Sequence, residues 1–262
     1  MKALALALCA LALFSYTLTQ PIQAKPTNCM GCNFAGADMQ GRDFQHVDYI
    51  GARFTGANLR NANFTGSNLT GADFNDADLR GVNFTNVDCT GCSFRGARLS
   101  GGQFQGARLT GANLSGALEG LSDAELRSIL DHCTGCNLRD AQLRGHDLSN
   151  VEVTGANMEG ADASSTRFTN AKLIGASFRN ANLRNADFTN TAVCWHNTFG
   201  TGATVTERQT DCVRLTGADL RGAKFTGARA CDSNHGSWTC GPVDAATIRK
   251  YSGSNLDGAV LQ

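Results

Sequence analysis

Eleven cysteines carry whatever covalent chemistry this chain can do, and their spacing is not random. Six form three Cys-x-x-Cys pairs: Cys29-Met-Gly-Cys32, Cys89-Thr-Gly-Cys92 and Cys133-Thr-Gly-Cys136. Four more bracket two polar stretches, Cys194 with Cys212 and Cys231 with Cys240. A Cys-x-x-Cys pair suits a structural disulfide, a redox-active dithiol or half of a metal site, and it can also be two buried free thiols. A redox dithiol needs an accessible thiolate of lowered pKa. A metal site needs about four converging ligands, and the best local set is Asp131, His132, Cys133 and Cys136. Covalent haem attachment would need His directly after the second Cys, where the chain has Asn33, Ser93 and Asn137. No cofactor is expected.

Compartment bears on that choice. Met1-Lys2 precedes an apolar run of 12 residues, Ala3 to Phe14, and then a polar stretch ending at Ala24. This pattern reads as a signal peptide over residues 1–24. The run is shorter than the roughly 18–20 residues a membrane span needs. Cys9 lies inside it and would leave with it, so the exported chain keeps an even set of ten cysteines, as a disulfide framework requires. A periplasmic or extracellular destination favours disulfides at all three Cys-x-x-Cys pairs. The whole chain has 23 basic and 23 acidic residues. Losing Lys2 leaves the exported form at a net charge of −1, too near neutrality for a nucleic-acid binder that works through bulk charge.

The elements that position these cysteines follow a period of five. From Cys32 to Gly116 the chain divides into 17 pentads without a slip. Their centres alternate Phe with another large residue from Phe34, Met39, Phe44, Tyr49, Phe54 and Leu59 as far as Leu109, with Cys89 as one centre, and Leu114 is the last. Two residues before each centre stands a small residue, Arg42 being the exception, and Asn or Asp usually lies between. The unit is A-(N/D)-(L/F)-(T/S/R)-G. Within it, centre and small residue share one side as strand neighbours do, and the Gly or Asn closes a turn. A chain that turns every five residues with its apolar residue always inward must wind into a tube.

This pattern resembles the pentapeptide-repeat family. The resemblance implies an all-β solenoid, a right-handed quadrilateral β-helix with four pentads per coil. Twenty residues per coil would stack Phe on two opposite walls, with Leu, Met, Tyr or Cys on the other two, and would set Cys29 and Cys89 three coils apart on one corner. At about 4.8 Å per coil, those pairs are too distant to share an ion. The C-x-G-C start seen in some members implies a capping role for 29–32 and 133–136. Some members mimic nucleic-acid duplexes and act on topoisomerases, a role that needs an acidic rod in the cytoplasm. The near-neutral, exported reading of this chain opposes it.

The expected organisation is a first solenoid segment over 25–118, a helix insertion and CxxC restart over 119–135, a second segment over 136–190, and interrupted repeats over 191–262. Ser122-Asp123-Ala124-Glu125 is a capping box followed by Leu126, Ile129 and Leu130 at helical spacing, which predicts a helix over about 123–132. A second short helix is expected from Pro242 to about Lys250. Residues 195–211 and 232–239 read as loops closed by Cys194–Cys212 and Cys231–Cys240; closing a loop of about 17 residues should contribute roughly 3 kcal/mol. Trp195, Phe199 and Trp238 are the interaction candidates on them, against the plainer reading that they pack on the tube. No catalytic motif is present, and the chain reads as a non-enzymatic structural or interaction module. The alternative is a thiol-redox or metal-binding protein using its CxxC pairs. Partners are expected to be protein; the excess of Arg over Lys would also suit an anionic surface. A solenoid end could dimerise.

Overall fold

The computed structural model describes residues 28–197, 210–213, 215, 217–234 and 237–242. Each pentad is one isolated bridge residue followed by a tight turn. The bridges are parallel and link residues 20 apart, so Asn33 pairs with Arg53, Arg53 with Asp73 and Asp73 with Ser93. Four pentads therefore make one coil, and the chain is a quadrilateral β-helix. We number its walls from these bridge columns. The first begins at Asn33, the second at Asp38, the third at Asp43 and the fourth at Asp48.

Three backbone bonds per pentad tie the coils, as around Phe74: its N–H donates to the Ser93 carbonyl at 2.7 Å, the Asp76 N–H to Arg95 at 2.8 Å and the Asp73 N–H to Ala52 at 2.9 Å. A fourth closes the corner: the Ala77 N–H donates to the Phe74 carbonyl at 3.1 Å. The residue before Ala77 must take positive φ, as the third residue of a type II turn does. Asp76 does so at 57°; Gly or Asn fills most such corners. Asn and Asp at the bridge positions add a local bond, accepting the amide two residues on, as Asn63 does from Thr65 at 3.1 Å.

The interior is filled as the ten-residue Phe period requires. Phe34, Phe54, Phe74 and Phe94 line the first wall and Phe44, Phe64, Phe84 and Phe104 the third. Along a wall the rings stack, Phe54 on Phe74 at 4.8 Å; across the tube they meet edge to face, Phe64 to Phe74 at 6.0 Å. Both are favoured arrangements of the aromatic quadrupole. Three of the small inward positions carry a hydroxyl, and each has a fixed acceptor. Ser67, Thr166 and Thr191 are buried and donate to the carbonyls of Phe44, Leu143 and Phe168 in the coil below.

One corner pairing carries a steric rule. Asn61 takes φ 56°, and its Oδ1 lies 2.2 Å from where a Cβ on Gly81, one coil above, would stand. Gly81 itself has φ 70°. Gly81→Ala should destabilise by more than the ~1–2 kcal/mol of a left-handed L-residue. Gly71→Ala, where no atom stands within 4 Å, should show the backbone effect alone. Chemical denaturation of both, and of Asn61→Gly/Gly81→Ala, checks this: equal losses at Gly71 and Gly81 would refute the clash.

The helix α1, Asp123–Leu130, does not end the solenoid. The first-wall bridge runs on from Asn113 to Asn137, 24 residues later, and Leu109 N–H reaches the His132 carbonyl on the fourth wall. α1 thus stands in for the second and third walls of one coil and buries Leu126, Ile129 and Leu130 in the tube. Its capping box is formed, with Ser122 as N-cap. Missing walls leave amides of the neighbouring coils without ladder partners, and two carboxylates of α1 accept them. Glu125 takes the Gly101 N–H at 2.6 Å from the coil before, and Asp123 takes the Asp147 N–H from the coil after, along with His146 Nδ1 at 2.6 Å.

Both carboxyls are held below their ordinary values, Glu125 by Ser122 and then Gly101, Asp123 by His146 foremost. A depressed folded-state value means stability that is present in full above the unfolded carboxylate range, about pH 4, and lost as pH falls from there through the lowered folded-state value. The melting temperature of the wild-type chain should therefore drop more steeply below about pH 4 than that of Glu125→Gln. Parallel curves would show that Glu125 is not acting as a charged cap.

Two later excursions complete the fold. Bridges Asn182–Asp219 and Asp187–Lys224 span 37 residues, so the coil between holds 17 extra. Strands β1 (Ala192–Asn197), β2 (Thr210–Cys212), β3 (Arg229–Asn234) and β4 (Ser237–Pro242) form one sheet in the order β2-β1-β3-β4. The expected signal peptide, the second helix beyond Pro242, Phe199 and the end of the interrupted repeats lie outside the described residues.

Candidate functional site: one cysteine-lined corner and the sheet that leaves it

The corner joining the fourth wall to the next coil's first wall differs from the other three. Its turn residues are Gly31, Gly51, Gly71, Gly91, Gly111, Gly135, Gly155 and Gly175, all at φ 65–69°. They stack coil on coil, Gly31 N–H bonding to Ile50, Gly91 to Thr110, Gly135 to Thr154. Elsewhere Asn, Asp, Ser or His shares the work; His46, Asn86, Asn150, Asn170 and Asn190 all turn the corner from third to fourth wall. Every Cys-x-x-Cys straddles the glycine corner. In each the first Cys is a fourth-wall centre and the second a first-wall small residue, and the three pairs have sulfurs at bonding distance with Cα atoms 5.7, 5.2 and 5.3 Å apart.

These pairs differ in cover. Cys89 and Cys92 are 1% exposed, Cys133 and Cys136 are fully buried, and Cys29 and Cys32 are half-buried in the first coil. The sulfurs of Cys92 and Cys136 lie 3.1 Å from the carbonyls of Leu69 and Leu109 below, the position where Ser67 and Thr166 place hydroxyls. Of the proposed ion ligands, Cys133 and Cys136 face each other, and no group of three or more metal-ligating side chains occurs among the described residues.

The sheet begins at this same corner. Cys194 occupies the place Ile174 holds one coil earlier, and the chain runs straight on through β1 where Gly175 had turned. One coil later β3 repeats the move, so β1 and β3 lie parallel, Trp195 opposite Cys231 and His196 opposite Asp232. β2 and β4 return antiparallel, with Cys194 opposite Cys212 and Cys231 opposite Cys240. Two stretches that read as separate loops thus share one sheet. Trp195, Val193, Thr210, Trp238 and Thr239 favour strands, and successive coils hold the two hairpins in register. Trp195 and Trp238 are placed in β1 and β4. That all five cysteine pairs share one corner was hidden in the sequence by the two insertions. Their lengths, 4 and 17 residues beyond a coil, restore the phase.

Charge on the walls is paired locally. Arg108–Asp88, Arg167–Asp147, Lys172–Glu152 and Arg139–Glu159 each join residues 20 apart at 2.9–3.2 Å. Arg80 turns to Asp78 and Arg221 to Asp219, and each Arg holds its partner carboxyl below the usual range. Such exposed pairs contribute little stability, but they alternate acid with base along the rod.

No helix among the described residues is long and apolar enough to cross a membrane. No curated protein is significantly similar to the chain. Among solved structures it is similar to HetL, involved in heterocyst differentiation regulation in the cyanobacterium Nostoc, at 19% identity over 91% of this chain and 88% of that one, TM-score 0.31. It is similar to QnrB1, a plasmid-mediated fluoroquinolone resistance protein, at 21% identity over 77% and 90%, TM-score 0.37. A protein of the Arabidopsis thaliana thylakoid lumen is 28% identical over 41% and 77%, TM-score 0.25. The pentapeptide repeats model matches eight copies over residues 43–76, 50–86, 77–116, 132–170, 164–194 and 211–234. With that match over more than half its length and a tube of 20-residue coils, the chain belongs to the pentapeptide repeat family.

Proposed function

We propose that this chain is an exported, non-enzymatic solenoid, cross-linked by disulfides, that presents the β1–β4 sheet to a protein partner. The observation that carries this reading is the common exit corner. Two insertions, on successive coils, leave the tube in parallel and join into a single sheet. A cap needs only to cover an open ladder, whereas here an extended surface is built sideways from a rod that continues past the first insertion to Lys224 and Ala228. Opposed cysteines at the base of each hairpin would fix its root. The leader-like residues 1–24 and the CxxC pairs support an oxidising compartment.

Capture of partners from the native compartment by the full chain, against a variant with residues 195–211 and 232–239 each replaced by a two-residue turn so that the sheet is removed, tests the reading. The expected result is loss of a specific partner with the fold intact by circular dichroism. Identical capture by both chains would refute it. Intact-mass measurement of the native protein should also show residues 1–24 removed.

A further inference from the structure

We propose that Cys29–Cys32 is a thiol–disulfide exchange site, and that Cys89–Cys92 and Cys133–Cys136 are inert cross-links of the same geometry. This goes beyond the interaction reading and depends only on the disulfides within it. The three pairs share one corner, one phase and one Gly before the second Cys, so what separates them is their surroundings. Exchange requires a thiolate to approach a sulfur in line with the bond it breaks, and rates therefore follow access.

For the two inner pairs that approach is closed. Cys92 has the Leu69 carbonyl 3.1 Å beneath its sulfur, Cys136 has Leu109 at the same distance, and coils lie both above and below. A partner thiol would reach them only after a coil opened. Cys32 occupies the equivalent position in the first described coil, and among the described residues no carbonyl lies beneath its sulfur as Leu69 and Leu109 do beneath the other two. Cys29 and Cys32 are half-buried, where the four inner cysteines are buried. Between them Met30 is 78% exposed, the one large apolar side chain so placed among the described residues. An exposed Met beside an accessible disulfide offers an adaptable apolar contact to an incoming peptide.

The partner this site fits is a dithiol. One of its thiolates attacks a sulfur of Cys29–Cys32; that bond breaks, and its electron pair leaves on the other cysteine, which takes a proton. The second partner thiol then attacks the mixed disulfide. The partner ends as a disulfide and Cys29 and Cys32 as two thiols, so two electrons and two protons have moved to this chain.

The native oxidised full chain, treated with increasing dithiothreitol, quenched with a maleimide and mapped by peptide mass spectrometry, tests the proposal without any variant. Cys29 and Cys32 should label roughly tenfold faster or more than Cys89, Cys92, Cys133 and Cys136. All three pairs reacting together, or Cys29–Cys32 resisting as long as the others, would overturn it. A second arm uses Cys29→Ser and Cys89→Ser with glutathione disulfide. Glutathione on Cys32 of the first, with Cys92 of the second unmodified until denaturant is added, supports the proposal; equal modification refutes it.

Discussion

Replacing Phe74 by alanine should lower the unfolding free energy by about 3–5 kcal/mol, the range for a buried aromatic truncated in a core that cannot collapse. Phe74 is fully buried, stacked on Phe54 at 4.8 Å and Phe94 at 5.3 Å, and edge-on to Phe64 and Phe84. Its wall cannot move inward to fill the void. Asp73 and Phe74 are pinned to the coils on both sides by backbone bonds of 2.9 and 2.7 Å. The loss should therefore fall at the upper end. Urea denaturation of Phe74→Ala, beside an outward control such as Thr85→Ala, measures it. A loss below ~1.5 kcal/mol, typical of a site that repacks, would show that the tube interior is deformable.

Deleting ten residues should be far better tolerated than deleting five. Removing 70–79 joins Leu69 to Arg80 in correct pentad phase and sets Phe84 over Phe54 and Phe94 over Phe64. Removing 70–74 also keeps the pentad phase, but it sets Leu79 over Phe54 and Phe84 over Leu59. Across the join every wall then stacks a ring on a Leu or, where Cys89 meets Phe64, on a Cys. Two stacked pairs are lost, each worth ~0.5–1.5 kcal/mol beyond burial, and voids and overpacking add to that. The smaller deletion should be less stable by about 2–4 kcal/mol on these grounds. Denaturation midpoints of the two chains, each compared with wild type, decide it; equal stability would mean that wall identity is irrelevant and only the five-residue phase matters.

Much of this architecture was legible because the pentad makes the same local choice each time. A small residue, a polar one, a large apolar one and a turn former place every side chain without reference to distant contacts, so the winding tube, the ten-residue Phe period and the Ser122–Glu125 capping box could be read directly, while four pentads per coil, and with them the Phe walls, came from the family resemblance. What could not be read was which wall follows an interruption. Cys133 has the same pentad phase as Cys29, but its corner depends on α1 occupying two walls rather than one or three, which the packing of Leu126, Ile129 and Leu130 decides. The hairpins were hidden for a related reason: Cys194 and Cys231 bracket polar stretches without strong alternation, and their strands exist because one pairs with the next across coils. Glu125 and Asp123 were legible as helix-capping acids but not as acceptors for Gly101 and Asp147, whose amides are stranded only once the ladder is interrupted.

The placement of the proposed disulfides would have a mechanical consequence. Each Cys-x-x-Cys closes across three residues around one corner of the chain. None of the three ties a wall to the wall stacked on it. These three bridges would reinforce the rod around its girth and not along its length. A pull applied between its ends would load only the hydrogen bonds between coils, which lie along the line of tension and can break rung by rung. The sulfur bridges would ride through such an extension unbroken, and a stretched chain, once released, would rewind on corners that had kept their shape.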